Sequence, residues 1–132
     1  MPAPTASTSV RDRIVLWLPV ALCLAAIFTF AARPSPVTFG LHDEDKARHL
    51  IAFGTLAGFA LRAVSGSWRV PECLAAGWAL GLTLVCTVAV EAVQLHIPGR
   101  SCELADIVAG MAGAVLVVAL LLWARHRIAR PA

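Results

Sequence analysis

The stretch Val85–Gly113, VCTVAVEAVQLHIPGRSCELADIVAGMAG, decides how this chain folds. It sets Glu91, Gln94, Arg100, Glu103 and Asp106 around a Pro98-Gly99 turn, between two runs apolar enough to span a membrane. An ionisable side chain in or near hydrocarbon is costly unless it pairs, snorkels or meets water, so such a cluster is a candidate functional site. The competing reading is structural: these groups tie helix ends together and set their depth in the bilayer.

Composition defines the class. Of 132 residues, 59% are hydrophobic and 14% are charged, whereas an ordinary soluble domain carries about 25% charge. A soluble fold would have to bury several nearly all-apolar helices in one small domain, and small domains expose a large share of their surface. About four spanning helices fit the length, since each needs roughly 20 residues to cross roughly 30 Å. The expectation is an all-α polytopic membrane protein, a compact bundle of four transmembrane helices without repeat, long linker or extramembrane domain. The formal charge of +3 reads as topology rather than affinity for nucleic acid. Four cysteines without CxxC spacing argue against a disulfide framework; isolated cysteines in apolar surroundings are usually small core residues.

Working outward from Val85–Gly113, the fourth apolar run extends from Ile107 to Ala124 and closes on Arg125, His126, Arg127 and Arg130. Ser101 or Glu103 can satisfy free backbone donors where that helix starts. The third run begins near Cys73, after a polar connection Ser65–Glu72 whose Trp68 suits the membrane interface. The segment His42-Asp43-Glu44-Asp45-Lys46-Ala47-Arg48-His49 leads into the second run, which continues to about Val64. Its acidic side chains suit a helix N-terminus. The first run, Ile14–Ala32, contains Pro19 and is stopped by Arg33-Pro34-Ser35-Pro36. A signal peptide competes for that run, which exceeds the usual h-region of about 7–15 residues. The approximate spans are 14–32, 46–64, 73–95 and 104–125, with a disordered N-terminus over 1–13 and a basic tail over 126–132.

Charge bias selects an orientation. With the N-terminus cytoplasmic, that side holds Arg11, Arg13, Arg62, Arg69, Arg125, Arg127 and Arg130, seven bases against the acids Asp12 and Glu72. The other side holds the four bases Arg33, Lys46, Arg48 and Arg100 against six acids. Orientation follows Lys and Arg in short flanks, so both termini are expected in the cytoplasm and the polar cluster at the extracytoplasmic surface. Gly54 with Gly58, Gly77 with Gly81, and Gly110 with Ala114 recur at the spacing that lets helix backbones approach in lipid.

Residues three and four apart share a helix face. His42, Asp45, Lys46 and His49 therefore form a polar stripe entering the second span, Glu91 and Gln94 share a face of the third, and Arg100, Glu103 and Asp106 recur at threes around the start of the fourth if that stretch is helical. Glu91 lies about two turns inside its span and needs a partner, which Arg100, Lys46 or His49 can supply. Three chemistries compete. Arg100, Lys46 and His49 can clamp a phosphate, with Gln94 and Asp45 completing a binding set and Glu91, His49 and Asp106 serving as acid or base. His49, Glu91 and Asp106 can alternatively supply nitrogen and oxygen ligands to zinc or magnesium. No tight metal-ligand motif appears, so no metal or cofactor is assigned. An ion pathway fits less well, because the polar groups gather at one interface instead of crossing the bilayer.

Other polar residues read as structural. Ser101 and Ser35 lack a base-orienter arrangement for nucleophilic catalysis. His96 is an interfacial side chain, and His126 sits among arginines where it meets lipid head groups. Trp17, Trp68, Trp78 and Trp123 serve as anchors or packing groups rather than as a platform for nucleic-acid bases.

Asp45-Lys46-x-x-His49 before Phe53, Glu91-x-x-Gln94 followed by Pro98-Gly99-Arg100, and Asp106 with Gly110 and Gly113 occur in that order across nearly the whole apolar part of the chain. In this the sequence resembles the VanZ-like family of small bacterial membrane proteins. Ala109 departs from it where the family commonly carries asparagine. The resemblance implies a protein of the bacterial cytoplasmic membrane; the family's named member is connected with reduced susceptibility to teicoplanin. It also implies that Lys46, His49, Glu91, Gln94, Arg100 and Asp106 act as one site. The expected function is binding, with modification left open, of an anionic cell-envelope lipid or lipid-linked precursor. The alternative is a non-enzymatic membrane scaffold, or assembly partner of another membrane protein, whose polar cluster is a structural clamp.

Overall fold

The computed structural model describes residues 9–34 and 42–129. It contains α1 (Val10–Ala31), α2 (His42–Trp68), α3 (Glu72–Gln94) and α4 (Leu104–Ile128). All four are long and apolar enough to cross a membrane, and helices suit that task because each satisfies its own backbone polar groups. The expected all-α bundle of four membrane helices is the observed architecture. Residues 1–8, Ser35 and residues 130–132 lie outside the described residues, as does the side chain of His42, so neither most of the expected disordered N-terminus nor the full polar stripe falls within them.

The central helix is α2. It is the least uniformly apolar of the four and the most buried, because a helix surrounded by protein can carry polar groups that its neighbours satisfy, whereas lipid-facing helices cannot. It packs most extensively on α4 and also meets α1 and α3; among the described residues the backbones of α1 and α4 do not approach one another closely. Glycine permits the tightest crossing. A Cβ on Gly113 would run into the Leu50 carbonyl, one on Gly54 would sit 3.1 Å from the Gly113 carbonyl oxygen, and one on Gly110 would sit 2.9 Å from the Phe53 ring.

Two of the three expected small-residue pairs therefore face a neighbour. The third does not: Gly77 and Gly81 are exposed, and a Cβ on either would meet nothing within 4 Å. Spacing identifies a face that can be approached closely but not whether a helix occupies it. Gly66 behaves conversely, with a Cβ there falling 2.8 Å from Leu16 of α1.

Helix ends follow local chemistry. Ser9 caps α1: the Asp12 N–H donates to Ser9 Oγ (3.2 Å) while the Ser9 N–H donates to Asp12 Oδ2 (3.1 Å), a reciprocal capping box. Arg69 leaves α2 with φ 48°. Between α3 and α4 the Arg100 N–H donates to the Ile97 carbonyl (3.1 Å) and Gly99 has φ 80°, which is the type II turn that Pro-Gly favours. Buried Thr83 and Thr87 donate to the carbonyls of Ala79 and Thr83, each at 2.8 Å, so their hydroxyls need no external partner.

Two expectations about this turn are corrected. Arg100, Glu103 and Asp106 do not share a helical face, because α4 begins only at Leu104. Neither Ser101 nor Glu103 caps α4 with its side chain; the Ser101 hydroxyl instead donates to Glu103 Oε1 at 3.0 Å.

At the opposite end of the bundle, Trp17 Nε1 donates to Ser67 Oγ (3.1 Å) and the Trp17 and Trp68 rings pack edge to face. Glu72 lies 3.3 Å from His126 Nε2 and 3.8 Å from Arg125 Nη1. His126 is thus engaged by α3.

Candidate functional site

Glu91 is 1% exposed, inside the last turn of α3, and three elements converge on its carboxylate. From α2, His49 brings Nε2 to 3.2 Å from Oε1. From the start of α4, the Glu103 backbone N–H donates to Oε2 at 3.0 Å. From its own helix, the Gln94 amide, turned to suit both neighbours, donates to Oε1 at 3.3 Å and accepts from Arg100 Nη1 at 3.3 Å. Glu91 thus does for α4 what a cap residue would: it places negative charge on unpaired N–H groups at a helix N-terminus.

His49 is oriented by its own helix. Its Nδ1 lies 2.9 Å from the Asp45 carbonyl oxygen, and its ring stacks on Phe53. A carbonyl accepts only, so Nδ1 carries the proton and the Nε2 edge faces Glu91. Asp106, in the first turn of α4, is 3% exposed, and one of its carboxylate oxygens lies within 4.8 Å of the facing His49 and Glu91 atoms. Asp106 Oδ1 is buried without a hydrogen-bond partner.

Arg100 reaches Asp45 rather than Glu91. Its Nη1 lies 2.7 Å from Asp45 Oδ2, since the type II turn and the non-helical residues that follow it before Leu104 bring it to the start of α2. Gln94 stands between Arg100 and Glu91, so the expected direct pair becomes a relay. Arg100 Nε is buried and unpartnered. Lys46 is half-buried beside Asp45. The structure thus brings together Asp45, His49, Glu91, Gln94, Arg100 and Asp106, from α2, α3, the turn and α4. Beside them, the Cys102 thiol is pushed up from its ordinary pKa by desolvation and then by the Glu91 carboxylate.

The cluster adjoins a groove of about 730 Å³ between α1 and α2. Its walls are apolar, from Ile27, Phe30 and Ala31 on α1 and Ile51, Ala52 and Phe53 on α2. Its polar end is formed by Arg33, Asp45, Arg48, His49, Gln94 and Arg100. Glu91 and Asp106 lie behind that lining. Arg33 stacks on Phe30 at 4.8 Å, and Arg48 is 3.2 Å from Glu44 and 3.9 Å from Asp45. The sequence counted Arg33 and Arg48 only as topology charges; their position at the adjacent ends of the first and second spans was the available signal.

These site residues come from separate stretches in a fixed order, and residues 20–125 match the VanZ/LLP1 family. The chain belongs to the VanZ/LLP1 family. The matched region of this VanZ/LLP1 protein starts within α1 and ends in the last turns of α4, so it includes the entire cluster and every residue that lines the groove. Together with four spanning helices, this makes it a multi-pass inner-membrane protein. Comparison with curated proteins and with solved structures returns no match.

Proposed function

We propose that this VanZ/LLP1 protein binds an anionic cell-envelope lipid, or a lipid-linked precursor, with its head group at Arg33, Arg48 and Arg100 and its acyl chain in the α1–α2 groove. The observation that carries this reading is the groove itself: an apolar cleft of about 730 Å³ whose polar end holds three arginines and His49 with Gln94 and one acid, Asp45. Guanidinium groups match phosphate oxygens with paired donors. The partly exposed Arg48 and the unpartnered Arg100 Nε offer donors that Asp45 and Glu44 do not exhaust. The charge count favours cytoplasmic termini, which puts this end of the bundle toward the extracytoplasmic leaflet. A cell-envelope ligand also agrees with the resemblance to a family whose named member affects teicoplanin susceptibility.

Binding is favoured over turnover because two of the three acid/base candidates, Glu91 and Asp106, lie behind the groove lining and only His49 reaches it. Native mass spectrometry of the detergent-purified protein tests the proposal. Phosphate-bearing lipids should be retained over zwitterionic ones, and Arg48→Ala and Arg100→Ala should each lower retention at least about tenfold, the loss expected from removing a charge-assisted hydrogen bond. Unchanged retention in both variants would reject it. The buried cluster would then be read as a clamp joining α2, α3 and α4 in a scaffold.

A further inference from the structure

We propose that His49, Glu91 and Asp106 bind one divalent transition-metal ion of the zinc type, with one ligand atom from each of α2, α3 and α4. This goes beyond the lipid reading and does not rest on it, because the three residues lie at and behind the groove wall and only His49 lines the groove.

All three side chains are more than nine-tenths buried, at 6%, 1% and 3% exposure. With the His49 Nδ1 proton directed at the Asp45 carbonyl, the Nε2 lone pair points at Glu91 Oε1, itself an electron-pair donor, 3.2 Å away. Two such atoms at that separation need a positive centre between them, either a proton or a metal ion. Asp106 decides which. A proton shared by His49 and Glu91 leaves unanswered the Asp106 carboxylate, whose Oδ1 is buried without a partner and one of whose oxygens lies within 4.8 Å of both facing atoms, whereas a cation bound among the three is answered by all of them. Two carboxylates and a neutral imidazole carry two negative charges, which a divalent ion cancels where an uncompensated pair would be costly.

The geometry agrees. Ligand bonds of about 2.0 Å in a tetrahedral site put neighbouring donors about 3.3 Å apart, close to the 3.2 Å between His49 Nε2 and Glu91 Oε1. The Asp106 oxygen, within 4.8 Å, closes on the ion when it is loaded. Imidazole nitrogen beside carboxylate oxygens selects zinc-type ions over magnesium and calcium, which prefer all-oxygen sites. The outer contacts also have the form that positions metal ligands: a carbonyl on the histidine N–H, and an amide and a backbone N–H on the carboxylate.

The test uses the full chain in detergent, stripped with a chelator and dialysed against zinc chloride. About one zinc ion per chain is expected. X-ray absorption should show only nitrogen and oxygen neighbours at about 2.0–2.1 Å. Asp106→Asn and Glu91→Gln, which preserve side-chain shape, should weaken zinc binding at least about tenfold, while the exposed His96→Gln should not. Binding in Asp106→Asn equal to the wild type, uptake well below one ion per chain, or a sulfur neighbour at about 2.3 Å from the nearby Cys102 would each overturn the assignment. Should a variant fail to fold, the absorption spectrum of the zinc-loaded wild type still decides. Lipid retention measured on the same samples separates this result from the lipid reading.

Discussion

Arg100 Nη1 lies 2.7 Å from Asp45 Oδ2, across 55 positions of sequence, and this pair fastens the α3–α4 connection to the first turns of α2. Arg100 is 12% exposed and Asp45 31%, so the pair is only partly shielded from solvent. Asp45→Asn and Arg100→Ala should each destabilise the protein by about 1–3 kcal/mol, between the values for exposed and buried pairs. A double-mutant cycle on unfolding in mixed micelles should show coupling of about 1 kcal/mol. Additive effects would mean that the contact does not couple the two elements.

Gly113 and Gly77 should respond oppositely to the same substitution. Gly113→Ala pushes a Cβ into the Leu50 backbone carbonyl, where no side chain can move aside, and overpacking of this kind costs about 1–3 kcal/mol or more. Gly77→Ala enters open space and should be neutral or stabilising by up to about 1 kcal/mol through helix propensity. Thermal unfolding in detergent reads both, and similar losses at the two positions would show that α3 has a partner on its Gly77 face.

The cluster at the far end of the bundle is the weaker of the two. Glu72 is 43% exposed, with partners at 3.3 Å and 3.8 Å, so Glu72→Gln should cost less than about 1 kcal/mol. Glu91→Gln should cost more. It removes the negative charge that faces His49 and the Glu103 N–H in a buried setting, where a broken pair costs about 3–5 kcal/mol. The two unfolding midpoints measured side by side check the order.

Cys73, in the first turn of α3, and Cys102, in the α3–α4 connection, are both exposed and lie toward opposite ends of the bundle, which gives a native probe of orientation. With both termini cytoplasmic, an impermeant maleimide applied to intact cells should label Cys102 and spare Cys73 until the membrane is opened. The reverse pattern would invert the topology and place the groove's arginines on the cytoplasmic side.

Helix number and type, the Pro98-Gly99 turn and the residues of the polar cluster were all legible in the sequence. Uniform apolar runs of spanning length can satisfy their backbones in lipid only as helices, and charges interrupting such runs declare themselves by their expense. The pairing among those charges was not legible. Spacing offered Arg100 as a partner for Glu91, yet the chain between Gly99 and Leu104 is not helical, and that places Arg100 against Asp45 and leaves Gln94 between.

The groove with Arg33 and Arg48 and the outward face of Gly77 were decided by the tertiary structure alone, and so were the distances among His49, Glu91 and Asp106, a set that the sequence had already offered as one site. Periodicity assigns a residue to a face of its own helix, while a site made from three helices depends on how those faces are rotated against one another. That rotation is set by the close α2–α4 approach at Gly54, Gly110 and Gly113, a property of two packed surfaces that neither segment specifies by itself.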